Sequence, residues 1–137
     1  MSGYRGYVGS RPLFGGGRTP QHVQNIVLRD YARRKELHYL LSAVEYAMPD
    51  CFQILESILT ELSGVDGILC YSLFMLPDEE AKRIVLYDKI LAAKKSIHFA
   101  VEDLTILNAN DISRIEDIWL TQKLIAFQRN PQLYDLN

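Results

Sequence analysis

The chain of 137 residues is 48% hydrophobic, which is enough apolar material for one domain with a substantial core. Its formal charge of -2 argues against the basic surface that grips a phosphate backbone, so nucleic acid is not expected as a partner. No apolar run approaches the roughly 20 residues that cross a bilayer, and no leader pattern opens the chain. We therefore predict one cytoplasmic domain over 1–137 and no membrane partner.

The first predicted strand runs over 4–10 and is followed by a glycine-rich loop. Residues 11–20 hold three consecutive glycines and two prolines, which can continue neither a strand nor a helix. They predict an adaptable loop that serves as a lid or a phosphate-binding turn. Apolar residues at helical spacing then predict a helix over 21–35, with Thr19 as the N-cap before Pro20.

The rest of the chain alternates between strands and helices. Near-continuous hydrophobicity over 37–46 predicts a strand that is covered on both faces, and the most apolar segment, 65–73, predicts a central strand. The other predicted elements are helices over 49–64 and 77–94, a strand over 96–101, an amphipathic helix over 111–129 and a loose tail from 131 onward. This order predicts a three-layer α/β fold whose mostly parallel, four-stranded sheet has the order 2-1-3-4, with helices on both faces.

The cysteines and histidines of this chain do not form a metal-binding pattern. Cys51 and Cys70 are nineteen positions apart, outside any CxxC spacing and unmatched to the histidines. Buried thiols in a reduced cytoplasm are the simplest interpretation. We therefore expect no metal and no cofactor.

Polar residues follow the predicted strands at their carboxyl ends, where open α/β sheets bind ligands. Ser10 and Arg11 can hold an anion there, and Ser10 is also a candidate nucleophile. Glu45 is a candidate general acid or base, although it can equally bond to an arginine or a loop N–H. The predicted substrate-binding residues are Tyr7, Ser10, Arg11, Arg18, Gln21, Gln24, Asn25, Tyr46, Tyr71, Ser72 and Glu102.

The helix after the glycine-rich loop supplies the third catalytic candidate beside Ser10 and Glu45. His22 lies in its first turn, where helix amides favour anions, although a solvated first-turn residue is an equal alternative. Arg18 and the three glycines would suit a phosphate, but the segment is neither GxxxxGK[ST] nor GxGxxG. His98 alternates with apolar neighbours and is expected to belong to the core.

The layout of the chain resembles the catalytic domain of serine recombinases, the resolvases. The similarity covers roughly residues 3–115, with low residue identity, and implies the resolvase fold. The features that carry it are Ser10 at the first strand end, the helix of Gln24, Glu45, the segment 66–69, the helix start at Pro77 and Glu102.

The same resemblance implies that the DNA chemistry of those enzymes is lost. Serine recombinases attack a DNA phosphodiester with the serine, and arginines stabilise the negative charge that develops on the phosphorus oxygens. Here Val8, Met75 and Asp78 stand where three of those arginines would be. Each missing donor costs about 3–4 kcal/mol of transition-state stabilisation.

Four segments also resemble a small bacterial family called sporadic carbohydrate cluster proteins. They are YRGYVGSRP, PQHVQN, LLSAVEYAMP and YSLFMLP, and the resemblance spans nearly the whole chain. It implies a setting among enzymes that make unusual sugars for surface polysaccharides or related products.

Three functions are consistent with these observations. The first is a homo-oligomeric enzyme, a dimer or tetramer, that isomerises, epimerises or eliminates a phosphorylated or nucleotide-linked sugar without a cofactor. The second is a non-catalytic binding or scaffold protein of a carbohydrate pathway, which gains support if the apolar side of the long C-terminal helix is exposed, and further support if the polar strand ends fill one another in a closed arrangement without a pocket. The third is a nucleoside N-glycosidase or deoxyribosyltransferase, which needs a glutamate in the middle helix, where 81–93 provide only Asp88.

Overall fold

The structure is a computed structural model that describes residues 2–129, so the predicted loose tail from 131 onward lies outside the described residues. Within this range, five strands alternate with four helices. The strands are β1 (Tyr4–Gly9), β2 (Tyr39–Glu45), β3 (Gly67–Cys70), β4 (Ser96–Phe99) and β5 (Leu104–Ile106). The helices are α1 (Gln21–Arg34), α2 (Gln53–Thr60), α3 (Glu80–Ala92) and α4 (Ala109–Arg129).

The strands form one mixed sheet in the order β2-β1-β3-β4-β5. As predicted, β1 to β4 pair in parallel, and β3 lies at the centre with every residue buried. The prediction of four strands is wrong, because the sheet has a fifth strand, β5, which pairs with β4 in antiparallel orientation. Asp103, with a φ of +53°, lies in the turn between them. Aspartate tolerates this left-handed conformation, so the turn forms without the glycine that would have indicated it.

The register of the sheet separates the helices onto two faces. Tyr7 of β1 lies beside Cys70 of β3, which lies beside Phe99 of β4. Since side chains alternate along a strand, His98 points to the face opposite Tyr7. α1 covers the His98 face through Tyr31, whereas α2 covers the Tyr7 face and packs against α3.

α2 is shorter than its apolar pattern predicts. It begins at Gln53 rather than at Pro49, because Asp50 has a φ of +55° and interrupts the helical backbone. The helix ends at Thr60, and a separate 3-10 turn, Leu62–Gly64, completes the segment. The loop over 46–52 is thereby left at the carboxyl end of β2.

β3 also ends earlier than predicted, at Cys70 instead of residue 73. Ser72 stops the strand because its Oγ accepts a hydrogen bond from the N–H of Phe74 (3.1 Å) and so caps a 3-10 turn. α3 then begins at Glu80 rather than at Pro77.

α4 packs its apolar side onto its own domain. Ile115 and Trp119 are buried, and the indole ring of Trp119 contacts the rings of Phe14 and Phe74, with centroids 5.2 and 5.0 Å away. These side chains are therefore not free to dock a second protein. Over residues 2–129, no helix combines the length and apolar character that crossing a membrane requires.

His98 belongs to a polar cluster under α1. Its Nδ1 lies 3.0 Å from the hydroxyl oxygen of Tyr31 and 3.0 Å from that of Thr105. Burial, helped by the charge of Lys35, lowers the pKa of the imidazole from 6.5 to about 4. The ring is therefore neutral in the folded protein at neutral pH.

Acidification is expected to destabilise the protein through His98. The unfolded chain takes up this proton near pH 6.5 and the folded protein only near pH 4, so the contribution of the neutral ring is complete above pH 6.5 and is lost as the pH falls towards 4. Because water reaches part of the ring, we expect a loss of about 1–2 kcal/mol. Urea unfolding at pH 7 and near pH 4.5 measures it. The variant His98→Gln should show a smaller pH dependence, and an equal one would contradict this assignment.

Candidate functional site

Glu45, the predicted general base, is buried at the end of β2 and is 3% exposed. Its Oε2 accepts hydrogen bonds from the hydroxyl of Tyr7 (2.8 Å) and the N–H of Leu55 (3.0 Å). Its Oε1 accepts from the N–H groups of Tyr46 (3.0 Å) and Ile54 (3.1 Å). Two of these amides lie in the first turn of α2, where N–H groups lack partners within the helix. Glu45 therefore caps α2 from a neighbouring strand.

Tyr7 is directed at Glu45 and not at the surface. The phenol is fully buried, and burial together with the hydrogen bond to Glu45 raises the pKa of Tyr7 well above its usual value. The hydroxyl therefore stays protonated and acts as a donor. Tyr46, by contrast, has an exposed side chain and only its backbone reaches Glu45.

Ser72 and Glu102 form a second closed pair, at the end of β3. The Ser72 hydroxyl donates to Oε2 of Glu102 (2.7 Å), and the N–H of Leu73 donates to Oε1 (2.9 Å). Ser72 is fully buried. The pair thus fixes the 3-10 turn that follows β3.

Gln24 ties the start of α1 to β1. Its Nε2 donates to the carbonyls of Gly9 (2.6 Å) and Thr19 (2.7 Å), and its Oε1 accepts from the N–H of Gly9 (3.1 Å). Thr19 does not cap α1 as predicted. Pro20 takes the cap position, and the Thr19 hydroxyl accepts from the hydroxyl of Tyr71 (3.1 Å).

The polar strand ends therefore meet, but they bond to one another. Six residues of the predicted site therefore have hydrogen-bonding groups that are already occupied inside the protein. The residues concerned are Tyr7, Gln24, Glu45, Tyr71, Ser72 and Glu102.

The other predicted site residues keep side chains in contact with solvent. Ser10 is half-buried, and its hydroxyl has no hydrogen-bond partner within residues 2–129. Arg18 and His22 are exposed. Asn25 is half-buried and donates to the carbonyl of Gln21 (3.2 Å).

A cavity of about 270 Å³ opens where β1, β2 and β3 end. Its walls are mainly apolar and include Leu13, Phe14, Phe52, Phe74, Met75 and Leu76. The charged side chains on its walls are Arg11, Asp50 and Asp78. A mostly apolar pocket with a few converging polar groups is the usual form of a small-molecule site.

Arg11 is the predicted residue that the structure places in this cavity. Its Nη1 donates to the carbonyls of Cys51 (2.8 Å) and Met48 (3.3 Å), and its guanidinium carbon lies 4.4 Å from the ring centroid of Phe52. The N–H groups on Nη2 and Nε bond to no residue in the described part of the chain. Arg11 is thus held in place with one edge left for a ligand.

Sequence reasoning missed the two acidic residues of the cavity. Asp50 was assigned to a helix start and Asp78 to the first turn of another, because each follows a proline. Neither segment is helical at that point. No three His, Cys, Asp or Glu side chains between residues 2 and 129 are grouped so that they could hold a metal ion.

A crystal structure of a resolvase family site-specific recombinase from Streptococcus pneumoniae is similar to this fold, with a TM-score of 0.63. The match covers 92% of this chain and 93% of that chain at 10% sequence identity. No protein-family model and no curated protein sequence matches the chain. The resemblance to sporadic carbohydrate cluster proteins therefore has no support here. At 10% identity the likeness shows the fold alone, and the chain has a resolvase-like α/β fold.

Proposed function

We propose that this chain is a non-catalytic protein of a carbohydrate pathway that binds a sugar-containing ligand in the cavity beside Arg11. The observation that carries the proposal is that Glu45, the buried candidate base at the end of β2, already has its acceptor sites occupied. A general base needs a lone pair within reach of the substrate proton. The lone pairs of Glu45 already hold four donors, so a substrate would have to displace the first turn of α2.

The charges of the cavity favour hydroxyl groups over a bare phosphate. Arg11 supplies free N–H donors, and Asp50 and Asp78 supply acceptors. A sugar hydroxyl both donates and accepts, so neighbouring hydroxyls can bond to the guanidinium and to a carboxylate together. A free phosphate dianion would meet two carboxylates beside one guanidinium, an unfavourable balance. A phosphate or nucleotide on the sugar would point outward from the open mouth.

The predicted isomerase, epimerase or lyase is the second candidate, and one observation favours it. Ser10 has a hydroxyl without a partner among the described residues, and it directly precedes Arg11, which lines the cavity; neither Ser10 nor His22 lines the cavity itself. Catalysis would then depend on Ser10 and the exposed His22. The nucleoside enzyme gains no such support, because Asp88 on α3 is exposed and does not line the cavity.

Arg11→Ala is expected to weaken ligand binding by about 10- to 100-fold, since a hydrogen bond to a charged group contributes about 1.5–3 kcal/mol. Thermal unfolding with neutral sugars, sugar phosphates, nucleotide sugars and inorganic phosphate identifies the ligand, because a ligand at about 100 times its Kd stabilises the protein by about 2.7 kcal/mol. Calorimetric titration then gives the affinity. Arg29→Ala, which removes an exposed arginine of α1, is the matched control and should bind normally.

Two outcomes would overturn the proposal. Absence of stabilisation by every sugar-containing compound would show that the cavity does not bind this class. Turnover of a bound sugar that is lost in Ser10→Ala or His22→Ala would establish the enzyme in its place.

A further inference from the structure

β2 is an edge strand of the sheet, and its outer side has no partner strand among the described residues. The strand is seven residues long. Proteins usually block such an edge with lysine, proline, a bulge or a very short strand. The outer strand at the other side, β5, is three residues long and packs against α4. β2 is neither short nor covered in this way. A register shift against β1 between residues 39 and 42 makes the first part of the strand irregular, but residues 42–45 pair regularly and their outer side is open to a further strand.

The side chains of β2 are apolar on the surface as well. Leu41 is 77% exposed and Val44 is 42% exposed. The prediction from sequence that this strand is covered on both faces is therefore wrong for the isolated chain. An additional strand along the β2 edge would cover these two side chains.

The absence of exposed charge along this edge favours a second copy of the chain as its partner. From residue 39 to residue 49 the one charged side chain is that of Glu45, which is buried. In a twofold contact the same surface patch of each copy meets its counterpart on the other copy. An exposed charge in the patch would therefore lie near a charge of the same sign. The uncharged β2 edge meets this requirement. The exposed Val85 does not, since it lies between Lys82 and Lys89 on α3.

We propose that two copies of the chain pair through antiparallel β2 strands to form a closed twofold dimer. The two five-stranded sheets then join into one continuous sheet. Pairing uses both β2 edges and leaves the short β5 strands outermost, so the assembly stops at two chains. The two cavities lie at opposite ends of the paired strands, and each is complete within one chain. The dimer is therefore independent of the proposed ligand.

Leu41→Lys should raise the dimer dissociation constant by at least about tenfold, because each copy would have to desolvate a charge at the paired edge in place of an apolar side chain. Sedimentation velocity over a wide range of protein concentration measures the constant. Leu107→Lys is the matched control, because Leu107 is 64% exposed and lies after β5; it should dimerise normally. Val44→Lys tests the edge at a second position, and circular dichroism checks that each variant is folded.

Amide hydrogen exchange distinguishes strand pairing from other contacts. In the wild-type protein, protection of the amides over 39–45 should increase with protein concentration, and in Leu41→Lys it should not. A wild-type chain that stays monomeric at every concentration would overturn the proposal. A dimer that withstands both lysine substitutions, or whose 39–45 amides exchange as in the monomer, would overturn it equally.

Discussion

Replacing Glu45 with alanine is expected to lower the free energy of unfolding by about 4 kcal/mol. The substitution removes the acceptor of four hydrogen bonds, from the Tyr7 hydroxyl and from three backbone amides. Each buried donor without a partner costs about 1–3 kcal/mol, and water entering the space recovers part of this. Urea unfolding followed by circular dichroism measures the change.

Two further variants separate the contributions at Glu45. Tyr7→Phe removes one donor and leaves the cap intact, so it should cost about 1 kcal/mol. Glu56→Ala removes an exposed acidic residue from α2 itself and should have little effect. If Glu45→Ala is as stable as the wild-type protein, the cap does not stabilise α2, and Glu45 becomes a candidate catalytic residue again.

Glu116→Ala is expected to destabilise the protein by about 3–5 kcal/mol, because it leaves a buried arginine without its counter-charge. Arg83 on α3 is 2% exposed. Its Nε and Nη2 donate to the two carboxylate oxygens of Glu116 at 2.8 and 2.6 Å, and Tyr87 donates to the same carboxylate (2.7 Å). The pair joins α3 to α4. Thermal unfolding should show a decrease in Tm of roughly 10 °C.

The same arginine supports one wall of the cavity. Its Nη1 donates to the carbonyls of Pro77 (3.1 Å) and Asp78 (2.9 Å), so loss of Glu116 should also weaken ligand binding. Asp30→Ala, which breaks an exposed ion pair with Arg34 on α1, is the control and should be nearly neutral. An equally small effect of Glu116→Ala would show that water already stabilises the Arg83 charge.

Glu116 also contributes to the pH dependence of stability. Burial raises the pKa of its carboxyl, but the hydrogen bonds from Arg83 and Tyr87 outweigh burial and hold the pKa below its usual value. The stability that Glu116 contributes is therefore complete at neutral pH and is lost as the pH falls through this lowered pKa. It adds to the loss from His98 in acid.

The order of elements was predictable because local patterns determine it. Helical spacing of apolar residues located α1 and α4, and near-continuous apolar segments located β2 and β3. The parallel order of the first four strands followed from their alternation with helices. The boundaries of the helices and strands were less predictable. The Ser72 cap and the positive φ of Asp50 set two of them, and the spacing of apolar residues contains no information about either.

The positions of the candidate site residues in the sheet were predictable from the sequence, whereas their hydrogen-bond partners were not. Ser10, Arg11 and Glu45 were expected where strands end, and they do lie at that edge of the sheet. Whether a carboxylate there is free or occupied depends on which distant amides reach it. Leu55 lies ten positions after Glu45, so the cap exists only once α2 has packed against β2.

By itself the sequence determined the α/β class, the parallel core of the sheet and the edge at which polar residues gather, because hydrophobic period and chain order are local properties. Only the tertiary structure decided that the polar strand ends bond to one another, that Arg11 keeps one free edge beside Asp50 and Asp78, and that Leu41 lies on an open strand edge. Each of these depends on which segments, distant along the chain, are neighbours in space. Burial and hydrogen-bond pairing between such segments arise from packing, which no local pattern encodes.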